Sequence, residues 1–152
     1  MATRRENLRL TLGVLAVVLI AAAAAGAAWV AWGLSVWLLA GYLAASAAGG
    51  GVILWAFCAK CPCADHGCGH VFPGPLARMI LPRRTPGPYR AAELGATGLA
   101  LAVVLLAPQA WLWQSVPVLV GFWVLVIAAL GMIRASVCRG CGNEFCPGNP
   151  VS

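Results

Sequence analysis

Leu10 to Ala59 contains no charged residue, and neither does the run from Leu94 to Ile133. A membrane helix needs about 20 apolar residues to cross about 30 Å of hydrocarbon. Each run is long enough for two such helices and a turn. The pattern predicts spans over residues 9–28, 34–57, 89–107 and 116–134. In the first run the turn falls near Trp29, Trp32 and Trp37. In the second it falls in PQAWLWQSVP, between Pro108 and Pro117, which also carries two tryptophans. Indoles favour the membrane–water boundary, so these tryptophans are expected at the outer level, with Trp55 at the inner one. The expected fold is an all-α integral membrane protein of four transmembrane helices, arranged as two helical hairpins. Residues 58–88 form a loop between the hairpins, and 135–152 form a tail. Backbone groups in lipid must bond internally, which four helices achieve.

Composition agrees. Of 152 residues, 62% are hydrophobic and 9% charged, and mean hydropathy is +0.89. A soluble domain carries about 25% charged residues. One membrane domain is therefore expected, with the lipid bilayer as its principal partner.

The net charge of +6 changes the picture less than its size suggests. Basic and acidic residues share three blocks: the N-terminus, the middle loop and the tail. Two spans between consecutive blocks put every charge on one face. The positive-inside rule makes that face cytoplasmic, with both termini there. The basic residues then orient the protein and attract anionic lipid; nucleic acid is not expected as a partner. Arg83, Arg84 and Arg90 could meet lipid phosphate or an acidic partner. TRRENLR followed by an alanine-rich run has the form of a signal peptide. It continues directly into a second span, so an uncleaved first helix is expected, in a bacterial or archaeal inner membrane.

The spans hold no Asp, Glu, Lys, Arg or His away from their charged ends. Such groups mark ion paths and proton relays, so a pump or proton-coupled transporter is not expected. Gly33, Gly41 and Gly49 to Gly51 would allow close helix packing. With four acidic residues, all near water, and no serine–histidine–acid set or P-loop, hydrolysis is not expected either.

The candidate chemistry lies in CAKCPCADHGCGH, Cys58 to His70, and in the tail. All seven cysteines fall at the cytoplasmic face, where disulfides are disfavoured. Clustered intracellular cysteines more often hold metal. Cys58-x2-Cys61 and Cys138-x2-Cys141 have chelating spacing. They follow hairpins of nearly equal length, as a duplicated unit would. Cys138-Arg-Gly-Cys141-Gly142 resembles the knuckle of zinc ribbons and rubredoxins, a resemblance confined to five residues. The two pairs would make one four-cysteine site. Cys63, Cys68 and Cys146 with His70 would make a second, and His66 is the alternative histidine.

Zinc and an iron–sulfur cluster both fit such ligands. Cys61-Pro62 and Cys146-Pro147 are similar to the end of ferredoxin motifs, without the full run. The layout is broadly similar to that of small four-helix quinol dehydrogenases, without their ferredoxin extension. Three functions follow as expectations. The first is electron transfer between a soluble donor and a membrane quinone or complex. The second is a structural-zinc accessory or assembly subunit, with other membrane-complex subunits as partners. The third is soft-metal trafficking, disfavoured because the first span has no cysteine.

Overall fold

The structure, a computed structural model, describes residues 4–62 and 73–146. These residues are helical throughout their regular structure, with no strand. The helices are α1 (Arg4–Leu34), α2 (Val36–Ala56), α3 (Pro73–Ile80), α4 (Ala91–Leu106), α5 (Gln109–Leu112) and α6 (Val116–Met132). Counting short continuations, the segments Glu6–Leu34, Val36–Lys60, Ala91–Leu112 and Val116–Val137 are long and apolar enough to cross a membrane. The chain is thus built as a multi-pass membrane protein.

The first turn differs from expectation. Helix α1 runs through Trp29 and Trp32 to Leu34 and breaks only at Ser35. Nothing before Ser35 stops a helix; Gly33 alone costs about 1 kcal/mol relative to alanine. Ser35 adopts an extended backbone, and its Oγ accepts from the Trp37 N–H at 3.2 Å, capping α2. The turn is therefore one residue long.

The second pair of spans does not close on itself. Helix α6 packs along α1, and α4 packs along α2, while α1 and α2 pack on each other. The first hairpin is thus flanked on either side by one helix of the second. The element that spreads α4 from α6 is α5. Trp111 and Leu112 are buried within a core formed with Ala23, Ala27, Ala31, Tyr42, Phe122 and Val126. Trp111 Nε1 donates to the Ala27 carbonyl at 3.0 Å, and its ring meets Tyr42 edge-on at 5.4 Å. Gln109 Nε2 donates to Leu105 O, and Gln109 Oε1 accepts from Trp123 Nε1 at 3.1 Å. Trp111 therefore plugs the bundle at the turn between α4 and α6. Its partner Trp113 is exposed, as are Trp29, Trp32 and Trp37.

Small residues decide where backbones approach. A Cβ on Gly49 would lie 2.8 Å from Val104 Cγ2, so α2 and α4 meet there. Gly33, Gly41, Gly50 and Gly51 face open space. Their expected part in close packing is thus carried by Gly49 alone.

Candidate functional site at the charged end

Helices α2 and α6 are followed by the same local structure. After α2, Cys58–Lys60 forms a 3-10 turn, and the Cys61 N–H donates to Cys58 O at 3.3 Å. After α6 comes a π-helical turn, Ile133–Val137, then a 3-10 turn over Cys138–Gly140. There the Cys141 N–H donates to Cys138 O at 3.1 Å. Cys61 and Cys141 leave these turns with nearly equal extended backbones, φ/ψ −76/121 and −83/127. The shared Cys-x2-Cys spacing thus folds into a shared turn. Cys58, Cys61, Cys138, Cys141 and Cys146 are all half-buried.

The link between the two turns is Asn143, which is buried. Its Nδ2 lies 3.7 Å from Cys61 Sγ and donates to Tyr89 Oη at 3.0 Å. Its Oδ1 accepts from the Phe145 N–H at 3.1 Å, turning the tail back. Tyr89 stacks on Phe57, with centroids 4.4 Å apart. One asparagine thereby joins the tail, the first cysteine turn and the segment leading into α4.

Charge is organised around Glu93, also buried. Its Oε2 accepts from Lys60 Nζ at 3.0 Å and from the Arg90 N–H at 2.8 Å. Its Oε1 takes Arg84 Nη2 at 2.6 Å. Lys60, inside the first cysteine pair, also donates to Pro88 O at 2.7 Å and lies over the Tyr89 ring. Arg84 Cζ stands 4.2 Å over the Trp55 ring. The first cysteine turn is therefore fastened to α4 by a buried ion pair.

These surroundings act on the ionisable groups. Burial pushes the Tyr89 phenol well above its ordinary range. The hydrogen bond from Asn143 opposes that rise, while charge on Cys61, Cys146 and Cys58 adds to it. Burial also raises the Cys138 thiol, assisted by Cys146 and Cys141 and opposed by Arg134. Cysteines of both hairpins thus lie within electrostatic reach at one end of the bundle.

Proximity stops short of a coordination cage. Among the described residues, no three histidine, cysteine or acidic side chains stand together as ligands for one ion. Across the bundle, Asn143 Nδ2 lies 3.7 Å from Cys61 Sγ. With no such group among the described residues, a metal there would need further donors. Cys63, Cys68, His66 and His70 lie outside the described residues.

Two functional residues were not anticipated as such from sequence. Glu93 offered a signal: an acid at the third position of a helix, reaching back to the residue before it. Asn143 offered none, because its role depends on how the hairpins pack. No family model, curated protein or solved structure matches the chain.

Proposed function

We propose that this chain is a membrane metalloprotein whose cysteines hold a zinc or iron–sulfur centre at the cytoplasmic end of the bundle. The observation supporting this is the pair of matching Cys-x2-Cys turns, one per hairpin, linked through Asn143 and Cys61. Cys58, Cys61, Cys138 and Cys141 would supply the first ligands. Cys63, Cys68, Cys146 and His70 would supply the rest. Arg134 opposes the burial that raises the Cys138 thiol, and so acts toward the thiolate, the form that binds metal. With iron, the centre would carry electrons between a soluble donor and a membrane quinone or a larger complex.

A second reading is structural zinc, in an accessory subunit of a membrane complex. It is favoured by the buried Lys60–Glu93 pair, which already fastens the same turn to α4. A redox-silent ion would extend that cross-link between the hairpins.

One sample separates the two: protein purified in detergent without oxygen, assayed for metals, sulfide and visible absorption. Iron with sulfide and a broad band near about 400 nm supports electron transfer. Stoichiometric zinc without colour supports the structural role. Absence of both, with all thiols titrating, defeats the proposal. Replacing Cys58, Cys61, Cys138 or Cys141 with Ser is expected to lower bound metal. Full retention in all four variants would exclude the four-cysteine site.

A further inference from the structure

Each Cys-x2-Cys turn brings its two cysteines one above the other. The N–H of the second cysteine donates to the carbonyl of the first, at 3.3 Å for Cys61 to Cys58 and 3.1 Å for Cys141 to Cys138. A 3-10 helix completes a turn in three residues and rises about 6 Å over it, so side chains at i and i+3 eclipse. A disulfide spans Cα atoms about 4.4–6.8 Å apart whose Cβ atoms point the same way. The second cysteine of each pair keeps the direction the turn gives it, because φ places Cβ. That φ is −76 at Cys61 and −83 at Cys141, close to helical values. Only ψ departs, to 121 and 127, which leads the following chain away. The backbone of both turns therefore suits a disulfide between its two cysteines. All four stand as thiols and are half-buried rather than enclosed.

We propose that each turn is a thiol–disulfide couple, Cys58 with Cys61 and Cys138 with Cys141, oxidised by a low-molecular-weight disulfide such as glutathione disulfide. The thiolate of one cysteine attacks that disulfide, forms a mixed disulfide and releases one glutathione thiolate. The other cysteine of the turn, as thiolate, then attacks the sulfur now joined to glutathione on the protein. The S–S bond within the turn forms and the second glutathione thiolate leaves. Two electrons pass to the oxidant, and the two protons given up by the cysteines convert its halves to thiols. The turn does not have to unfold, because its backbone already sets the separation. On a reducing face the pair rests as thiols and is oxidised when the glutathione poise rises. No metal is needed for this reaction. Where the turns hold one, as proposed above, oxidation removes the thiolates that bind it, so loading and oxidation exclude each other.

Trypsin distinguishes the two states, because Lys60 lies inside the first pair and Arg139 inside the second. Cleavage there separates the cysteines of a reduced turn and leaves those of an oxidised turn joined. The full chain in detergent, stripped of metal by a chelator, is equilibrated in glutathione buffers from reducing to oxidising. Remaining thiols are blocked with N-ethylmaleimide, and the denatured protein is digested and analysed by mass spectrometry. Fragments joined through Cys58–Cys61 and through Cys138–Cys141 are expected, without a lasting glutathione adduct, and dithiothreitol should separate them. Cys61→Ser and Cys141→Ser should instead retain glutathione on Cys58 and Cys138. Lasting adducts in the wild-type turns would overturn the proposal. So would joins between the two turns in place of those within each, or joins that form only in denatured protein. If stripping lowers the melting temperature sharply, the protein as purified is oxidised instead. The same joined fragments are then expected, with metal released in step. Their absence at the most oxidising poise overturns the proposal in either sample. The metal assay on unstripped protein decides the metal reading separately.

Discussion

Asn143 Nδ2 donates to Tyr89 Oη at 3.0 Å across 54 positions of sequence. Because Asn143 also touches Cys61 and turns the tail, it holds together the part of the molecule on which the proposed chemistry depends. Asn143→Ala removes the donor to Tyr89, the contact to Cys61 and the acceptor for the Phe145 N–H. The expected cost is about 1–3 kcal/mol, the usual range for stranding buried hydrogen-bonding groups. Thermal melting in detergent measures it. Asn143→Asp should recover the bond to Phe145 while placing a negative charge among the thiols, and so recover less than full stability. A wild-type melting curve for Asn143→Ala would remove Asn143 from its linking role.

The Lys60–Glu93 pair gives a sharper test because both side chains are largely buried. Glu93→Gln leaves the Lys60 and Arg84 charges without their carboxylate. Breaking a buried pair from one side typically costs about 3–5 kcal/mol. Lys60→Met should cost less, since Glu93 keeps Arg84 and the Arg90 N–H. Lys60→Met/Glu93→Gln should cost less than the sum of the two single variants. Strict additivity in that cycle would mean the two groups do not interact in the folded protein.

Four spans were legible in the sequence because the bilayer sets a length and excludes charge, and both constraints act residue by residue. The site was less legible. Cysteine spacing indicated which residues form turns, and both turns formed alike. Spacing carries no information on how the two halves pack, so the Asn143–Cys61 contact was hidden from it. The burial of Trp111 was hidden for a related reason. An indole beside Pro108 suits both a membrane boundary and a core plug, and only the spreading of α4 from α6 decides between them. Ser35 rather than the preceding tryptophans ends α1 because its hydroxyl caps α2, a choice that hydropathy does not see.

The raised tyrosine and thiol make a pH prediction for metal-free protein. A phenol or thiol is neutral below its pKa, so raising that pKa in the folded state favours folding while the group stays protonated. For Tyr89 the contribution is complete below the unfolded value of about 10 and is lost as pH rises through the higher folded value. Tyr89 should therefore resist ionisation near pH ~10 while the fold persists, read as tyrosinate absorbance missing relative to denatured protein. Tyr89→Phe isolates its share from that of Tyr42. Cys138 should be alkylated by iodoacetamide more slowly than a model thiol near pH ~8.5, because less of it is thiolate. Cys138 labelling at the model rate, followed by mass spectrometry of its peptide, would contradict the burial and neighbouring charge described for it.

Gly49 tests the packing that brings the first cysteine turn against α4. Two effects of Gly49→Ala oppose each other. Alanine gains about 1 kcal/mol of helix propensity. Its Cβ, however, would sit 2.8 Å from Val104 Cγ2 and 3.5 Å from the Ala100 carbonyl. Val104 is β-branched and has few rotamers to escape into. The helices must therefore move apart, and overpacking of this kind costs about 1–3 kcal/mol. Gly49→Ala is expected to destabilise slightly and Gly49→Leu strongly. Gly50→Ala faces open space, keeps the propensity gain and should be neutral or stabilising. Melting of the three variants in one detergent decides the matter. If Gly49→Ala stabilises as much as Gly50→Ala, α2 and α4 are not in contact at this level. The Lys60–Glu93 pair, which joins the Cys58–Lys60 turn after α2 to α4 nearer the charged end, would then lose the packing that positions it.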